Sequence, residues 1–316
     1  VQSALEVLGD AKQARVTAVI DDRGLHARAT VAAKQGGPAE KLVAGLAVGD
    51  PKRMLDLPAD SLATFVFYQS AAARAESAAV QAEGLAKLLE KQLQAPEKKV
   101  VVESLAALGE ARGDWFYGGV TFAPTGPAGF ARAAVSDADK LAKGVKSLVG
   151  LVKSGPVKGL LEDMDLGVST GTARVDGVGG SVERLRLESR GKDKKAADGP
   201  SAIDLVYAID KEAMLIATGF DAKAALASIA SAPKGQNVGG VPEMKAAIDG
   251  LGPEVAFAVL FDPVRIGVVQ TGKPAAGAAG PIAIAAGKAG ASDLWVRVDV
   301  ATEALREIVR RRAAGR

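Results

Sequence analysis

The sequence predicts an α+β protein in which curved antiparallel sheets pack on long amphipathic helices. Three observations carry that expectation. Apolar residues recur at period two in paired segments, other segments carry apolar residues at helical spacing, and the two kinds do not alternate strictly as a doubly wound sheet requires. An apolar fraction of 48% in 316 residues supports a sizeable core. Aromatic residues make up only 4%, against 37 glycines, so small residues in close approach must build much of it.

Residues 3–14 read as a helix with Leu5 and Leu8 on one face. A hairpin follows: Val16, Ala18 and Ile20 alternate with other residues, Asp21-Asp22-Arg23-Gly24 turns the chain, and residues 25–33 alternate again. Residues 38–55 read as helical with a break at Gly49-Asp50-Pro51, and Leu57-Pro58-Ala59-Asp60 leads into an apolar strand over 61–68. That strand is apolar on both faces, so cover is expected on each side. Helices are expected over 71–93 and 135–161, either side of a strand over 115–123. The second carries Leu141, Val145, Leu148, Val149 and Val152 on one stripe and opens at Ser136, with Asp139 three residues on in the manner of a capping box.

Hairpins return over 166–175 with 181–187, over 203–209 with 213–218 around Asp210-Lys211-Glu212, and over 282–286 with 294–300. Helices are expected over 221–230, 242–249 and 302–312, and Gly252-Pro253-Glu254 leads into a strand over Val255–Phe261. The order of hairpin, helix and proline-led strand occurs twice, which suggests an internal duplication. Residues 190–201 read as a linker between an N-terminal half, 1–189, and a C-terminal half, 202–316. Residues 270–291, rich in Gly and Ala, read as a mobile loop.

Chemistry is narrowly bounded. A single histidine, His26, and no cysteine exclude thiol nucleophiles and disulfides and leave any histidine-dependent mechanism to one residue. The net charge of +3 arises from 40 basic and 37 acidic residues, too even a balance for nucleic-acid binding. No apolar run approaches the length of a transmembrane segment. The chain begins Val1-Gln2-Ser3 without a leader, so its native form is expected to continue upstream.

Each catalytic motif has a stronger structural explanation. Gly167-Val168-Ser169-Thr170-Gly171 fits a nucleophile elbow, but Thr172-Ala173-Arg174-Val175 continues as strand and the histidine precedes the serine. Gly24-Leu25-His26-Ala27-Arg28-Ala29 resembles the phosphohistidine loop of the sugar phosphotransferase carrier protein, with Ala29 where that family has proline. Ser231-Ala232-Pro233-Lys234 has the Ser-x-x-Lys spacing, but Pro233 and Gly235 disfavour the helical turn that would bring the two together. Gly177-Val178-Gly179-Gly180 reads as a turn, and Glu162, Asp163 and Asp165 as a solvated helix end lacking calcium-loop spacing. No catalytic residue, metal or cofactor is expected.

Lys140, Lys143 and Lys146 form a basic edge beside the apolar stripe, and Arg306, Arg310, Arg311 and Arg312 charge the last helix. Such faces contact anionic surfaces or simply stand in water. Over its length the chain resembles uncharacterised alanine-rich exported proteins of Gram-negative bacteria, often lipoproteins. The shared features are Gly36-Gly37-Pro38 through Leu57-Pro58-Ala59-Asp60, Tyr207-Ala208-Ile209-Asp210 through Ala217-Thr218-Gly219, and Val298-Asp299-Val300. The resemblance implies a periplasmic or cell-surface protein and brings no catalytic residues.

Two functions are then expected in competition. One is a non-enzymatic module binding a lipid or other apolar ligand, with Ala283, Ala285 and Ala286 leaving room for it beneath the 270–291 loop. The other is a structural or assembly protein of the bacterial envelope that contacts a protein partner.

Overall fold

The computed structural model of the chain describes residues 11–88, 90, 93–123, 125–153, 155–190, 202–231, 236–271, 280–290 and 292–314. Strands β1 (Ala11–Asp21) and β2 (Gly24–Ala33) are followed by helix α1 (Pro38–Gly45), a 3₁₀ turn (Pro51–Asp56) and β3 (Ala63–Tyr68). Then come α2 (Ala71–Leu88), α3 (Ala95–Ala111), β4 (Arg112–Ala123), β5 (Gly126–Val135), α4 (Ala138–Lys153), α5 (Gly155–Asp163), β6 (Leu166–Ala173), β7 (Val182–Ser189), β8 (Ala202–Ile209), β9 (Ala213–Gly219) and α6 (Ala222–Ala230). The chain ends with a second 3₁₀ turn (Val238–Gly240), α7 (Pro242–Asp249), β10 (Val255–Phe261), α8 (Pro263–Thr271), β11 (Ile282–Lys288), β12 (Asp293–Ala301) and α9 (Thr302–Ala314). Strand pairing is antiparallel and helices are abundant, so the class is α+β.

Three elements escape the sequence pattern, and residues 11–14 are strand and not helix. The run Val100-Val101-Val102 masks the helical character of α3, which opens instead on Pro96 and a reciprocal Gln94–Glu97 cap. Strand β5 is built of Gly and Ala with little period-two contrast; its pairing with β9 makes it a strand. Helix α8 is rich in β-branched residues but is capped by Asp262, whose Oδ1 accepts from Val264 N at 3.0 Å and Arg265 N at 3.3 Å.

The chain gathers into two compact units that interleave along the sequence. The first comprises Val1–Ser70, Tyr117–Val120 and Ala232–Arg316; the second comprises Ala71–Phe116 and Thr121–Ser231. The sequence division at 190–201 differs from this, and residues 191–201 lie outside the described residues. Strands β1, β2 and β3 belong to the first unit, whereas β8 and β9 belong to the second and β10 to the first.

In the first unit the strands run in the order β1-β2-β12-β11-β10-β3. Their register sorts residues cleanly between two faces, because directly opposed residues point the same way. One face presents Val66, Ala258, Leu260, Ala283, Ala285 and Trp295, all nearly inaccessible. Met54 of the first 3₁₀ turn, Met244 and Ile248 of α7, and Ala304 of α9 are buried in the same unit. Burying each of the Met and Ile side chains contributes roughly 1.5–3 kcal/mol before entropy is set against it.

The opposite face consists of three apolar rows. Phe67, Phe257, Ala286, Val296, Ala29 and Val16 form the first; Phe65, Val259, Ile284, Val298, Ala27 and Ala18 the second; Ala63, Phe261, Ile282, Val300, Leu25 and Ile20 the third. Most of these residues are half-buried, and exposure grows toward β1, reaching 75% at Val16 and 79% at Ile20. Phe67 lies 5.0 Å from Phe257 and 5.6 Å from Phe65 between ring centroids, a tilted cluster favourable for aromatic rings. Gly24 closes the β1–β2 turn at φ +141°, and a Cβ there would collide with the Val300 carbonyl, so only glycine fits.

The second unit, which holds β4 apart from Tyr117–Val120, orders its strands β4-β5-β9-β8-β7-β6. Helix α6 buries Ala222, Ala225, Leu226 and Ile229 beside Phe130, Ala217 and Val206 of β5, β9 and β8. Helices α3 and α4 approach closely because Gly144 faces the Ser104 carbonyl, where an added Cβ would come within 3.2 Å. Buried Arg74 of α2 donates from Nε to the Gly109 carbonyl at 3.2 Å, tying α2 to α3.

Candidate functional site

Helix α4 buries only Leu141 and Gly144 of its own residues, leaving Val145, Leu148, Val149 and Val152 half-buried. Incomplete burial of that stripe leaves space. A partly open cavity of about 520 Å³ lies within the second unit, between α4 and strands β6, β7 and β8. Ala142, Val149 and Gly150 face it from the helix, and Leu185, Tyr207 and Ile209 from the sheet. The spacing of Ala142, Lys146, Val149, Gly150 and Lys153 is that of one helical face, which sets both lysines beside the apolar residues along the cavity. Across the sheet, Thr170 pairs with Leu185 and Glu183 with Tyr207, so the register sets hydroxyl and carboxylate groups beside the apolar floor.

Tyr207 is 8% exposed, and its burial, with Glu183 nearby, holds the phenol above its ordinary pKa. It stays neutral and can donate a hydrogen bond at neutral pH. Of the three lysines singled out by sequence, Lys146 lines the cavity, Lys140 is paired with Glu110, and Lys143 is exposed away from the lining. Lys153, Glu183 and Tyr207 were not foreseen. Lys153 stands two helical turns beyond Lys146, a spacing that marks it as a neighbour on one face.

The alanines separate by parity. Ala283 and Ala285 are 1% and 0% exposed on the helix-covered face of the first unit, whereas Ala286 is half-buried on the apolar-row face. They therefore do not form one ligand surface; residues 282–288 are strand, as expected for the 282–286 hairpin segment, so the expected 270–291 loop does not run through them. Residues 272–279 and 291 of the expected mobile loop lie outside the described residues, as do residues 1–10 of the expected first helix.

A second cavity of about 430 Å³ in the first unit has His26, Arg297 and Asp299 on its wall, with Ala283 beneath. His26 Nδ1 lies 2.7 Å from Asp299 Oδ1 and its Nε2 lies 3.3 Å from Asp21 Oδ1. Arg23 donates to Asp21 Oδ2 at 2.9 Å, and Arg297 Nε stands 2.5 Å from Asp299 Oδ2. The Arg23 hydrogen bond holds the Asp21 carboxyl at about 2, well below its usual 3.8. Arg23, His26 and Arg297 thus each already face a carboxylate. Thr302, at the cavity edge, donates its hydroxyl to the Asp22 carbonyl at 2.9 Å.

The remaining motifs are structural. Ser169 sits inside β6 opposite Arg186, not on an elbow. Ser231 ends α6 and donates to the Ala227 carbonyl at 3.2 Å, while Pro233 and Lys234 lie outside the described residues. Gly177 and Gly180 both have positive φ, as a turn requires. Glu162 accepts from Arg190 at 3.5 Å, and among the described residues no group of three or more His, Cys, Asp or Glu side chains is placed to hold a metal. Arg306 pairs with Glu303, and Arg310 and Arg311 with Glu307, so much of the charge on α9 is answered within the helix. Among the described residues no helix is long and apolar enough to cross a membrane. No protein-family model, curated protein or solved structure matches the chain.

Proposed function

We propose that the protein is a non-enzymatic binding module that holds a small amphiphile with an anionic head in the cavity between α4 and β6–β8. The supporting observation is the pairing of an apolar interior, Val149, Leu185 and Ile209, with two lysines, Lys146 and Lys153. A volume of about 520 Å³ lies within the range of small-molecule sites. Exposed lysines contribute modestly, so the apolar walls must supply most of the affinity. At about 0.8 kcal/mol per buried methylene, against an association cost of at least about 4 kcal/mol, micromolar binding needs a chain on the order of 15 carbons.

Gly150 supplies the test. An added Cβ there meets nothing within 4 Å, and the position is helical, so Gly150→Leu fills the cavity while favouring the helix by about 0.5–1 kcal/mol. Titration with a fluorescent long-chain fatty acid should show at least tenfold weaker binding to the variant, with a melting temperature equal to or above that of the parent. Equal probe affinity in the two proteins would sink the assignment, as would no binding by the parent.

An envelope structural or assembly role is favoured by a different observation, the half-exposed apolar rows of the first unit. Placement in the periplasm or at the cell surface rests on the sequence resemblance alone. An internal duplication is not required for the binding activity, since the cavity lies within one unit.

A further inference from the structure

We propose that β1 is the seam of a two-fold dimer, in which β1 of one copy pairs antiparallel with β1 of a second copy, centred on Ala18. The proposal is independent of the cavity in the second unit. Among the described residues β1 pairs with β2 alone, and every residue from Lys12 to Ile20 is exposed. A two-residue hairpin loop makes Asp21 and Gly24 a hydrogen-bonded pair, so Val19, Thr17 and Arg15 direct their backbone groups to β2. Ile20, Ala18, Val16 and Ala14 then direct theirs outward. Edge strands usually carry a proline or a bulge that blocks further pairing; here no proline or glycine interrupts Ala11–Asp21, and the register is irregular only between Ala11 and Gln13.

The sequence of β1 is complementary to itself in one register. Two-fold pairing centred on Ala18 sets Val16 against Ile20 of the second copy on one face, and Arg15 against Asp21 on the other. The first apolar row of one copy then runs into the third row of the other, and the second row runs into itself through Ala18. Arg15 has no ion pair among the described residues, and Asp21 keeps 29% side-chain exposure while bound to Arg23. Centring on Val16 would set Arg15 against Thr17 and Lys12 against Ile20, and centring on Thr17 would set Arg15 against Val19. Only the Ala18 register answers the Arg15 charge and joins large apolar residues at both ends. A symmetric seam also closes after two copies, unlike pairing of β1 with a different edge.

The absence of cysteine allows a direct test with the whole chain. Sedimentation equilibrium of the parent should show mass rising with concentration toward twice the monomer value. In Ala18→Cys the two thiols meet on the axis, and a short bismaleimide should link most of the protein into dimer; Ser169→Cys, on strand β6, should associate like the parent but give little cross-linked dimer. Arg15→Glu should weaken association at least fivefold. Ala18→Pro removes the outward N–H at the centre and should give monomer at nearly unchanged melting temperature. A parent that stays monomeric at its highest soluble concentration overturns the dimer, and so does equal cross-linking of Ser169→Cys. Association unchanged in Arg15→Glu overturns the register.

Discussion

His26 on β2 stands directly opposite Asp299 on β12, and the two side chains meet at 2.7 Å between Nδ1 and Oδ1. Direct cross-strand neighbours have Cβ atoms about 4.5–5.5 Å apart, close enough for an imidazole to reach a carboxylate without moving the backbone. The only histidine of the chain is thereby committed to joining strands. His26→Ala should lower stability by about 1.5–3 kcal/mol in denaturant unfolding, the scale of one hydrogen bond to a charged group, and leave fatty-acid binding intact. Lost binding at an unchanged unfolding midpoint would show instead that the imidazole takes part in function.

Asp21 links the β1–β2 turn to pH. Its carboxyl is held at about 2, chiefly by the hydrogen bond from the Arg23 side chain, against 3.8 for the ordinary group. Because the folded-state value is the lower one, the stabilisation is fully present above about 3.8 and disappears as pH falls through about 2. Carboxyl carbon shifts followed by NMR should show this midpoint, and Arg23→Gln should move it upward. A midpoint unmoved by that substitution would contradict the assigned cause.

Charge beside the cavity gives a third expectation. Replacing Lys146 and Lys153 together by Gln should weaken binding of a long-chain carboxylate several-fold and leave its uncharged methyl ester little affected. The carboxylate should also bind the parent less tightly as salt rises, because exposed charges are screened over about 8–10 Å. An equal loss for acid and ester would mean that the lysines contribute only their apolar stems.

Asp262 is inaccessible, caps α8 through Val264 N and Arg265 N, and lies 3.2 Å from the Arg265 guanidinium. Asp262→Ala removes the cap and leaves Arg265 without this carboxylate. The expected loss is about 1–3 kcal/mol in chemical unfolding, with far-ultraviolet circular dichroism close to that of the parent. A change below about 0.5 kcal/mol would show that water replaces the carboxylate at the helix end.

Much of the architecture is legible in local pattern. The β1–β2 hairpin follows from Val16, Ala18 and Ile20 around the Asp21–Gly24 turn, and the break between α1 and the 3₁₀ turn follows from Gly49-Asp50-Pro51. Strand β5 and helix α8 were hidden because Gly, Ala and β-branched residues carry little periodic contrast, and a partner strand or a capping carboxylate decides their state. Of the candidate site, Lys146 and the α4 stripe were visible, whereas Tyr207 and Glu183 became neighbours of that helix only through the pairing of β7 with β8.

The sequence by itself determined the α+β class, most hairpins and their turns, and the scarcity of groups able to do covalent chemistry. These are properties of composition and of spacings shorter than about a dozen residues, which backbone geometry converts directly into structure. Tertiary structure decided which sheet face is covered, why Ala283 and Ala286 part company, and where space remains beside α4. Alternation states that a strand has two faces but not what each one meets. That depends on contacts between distant segments, as when Asp299 closes on His26.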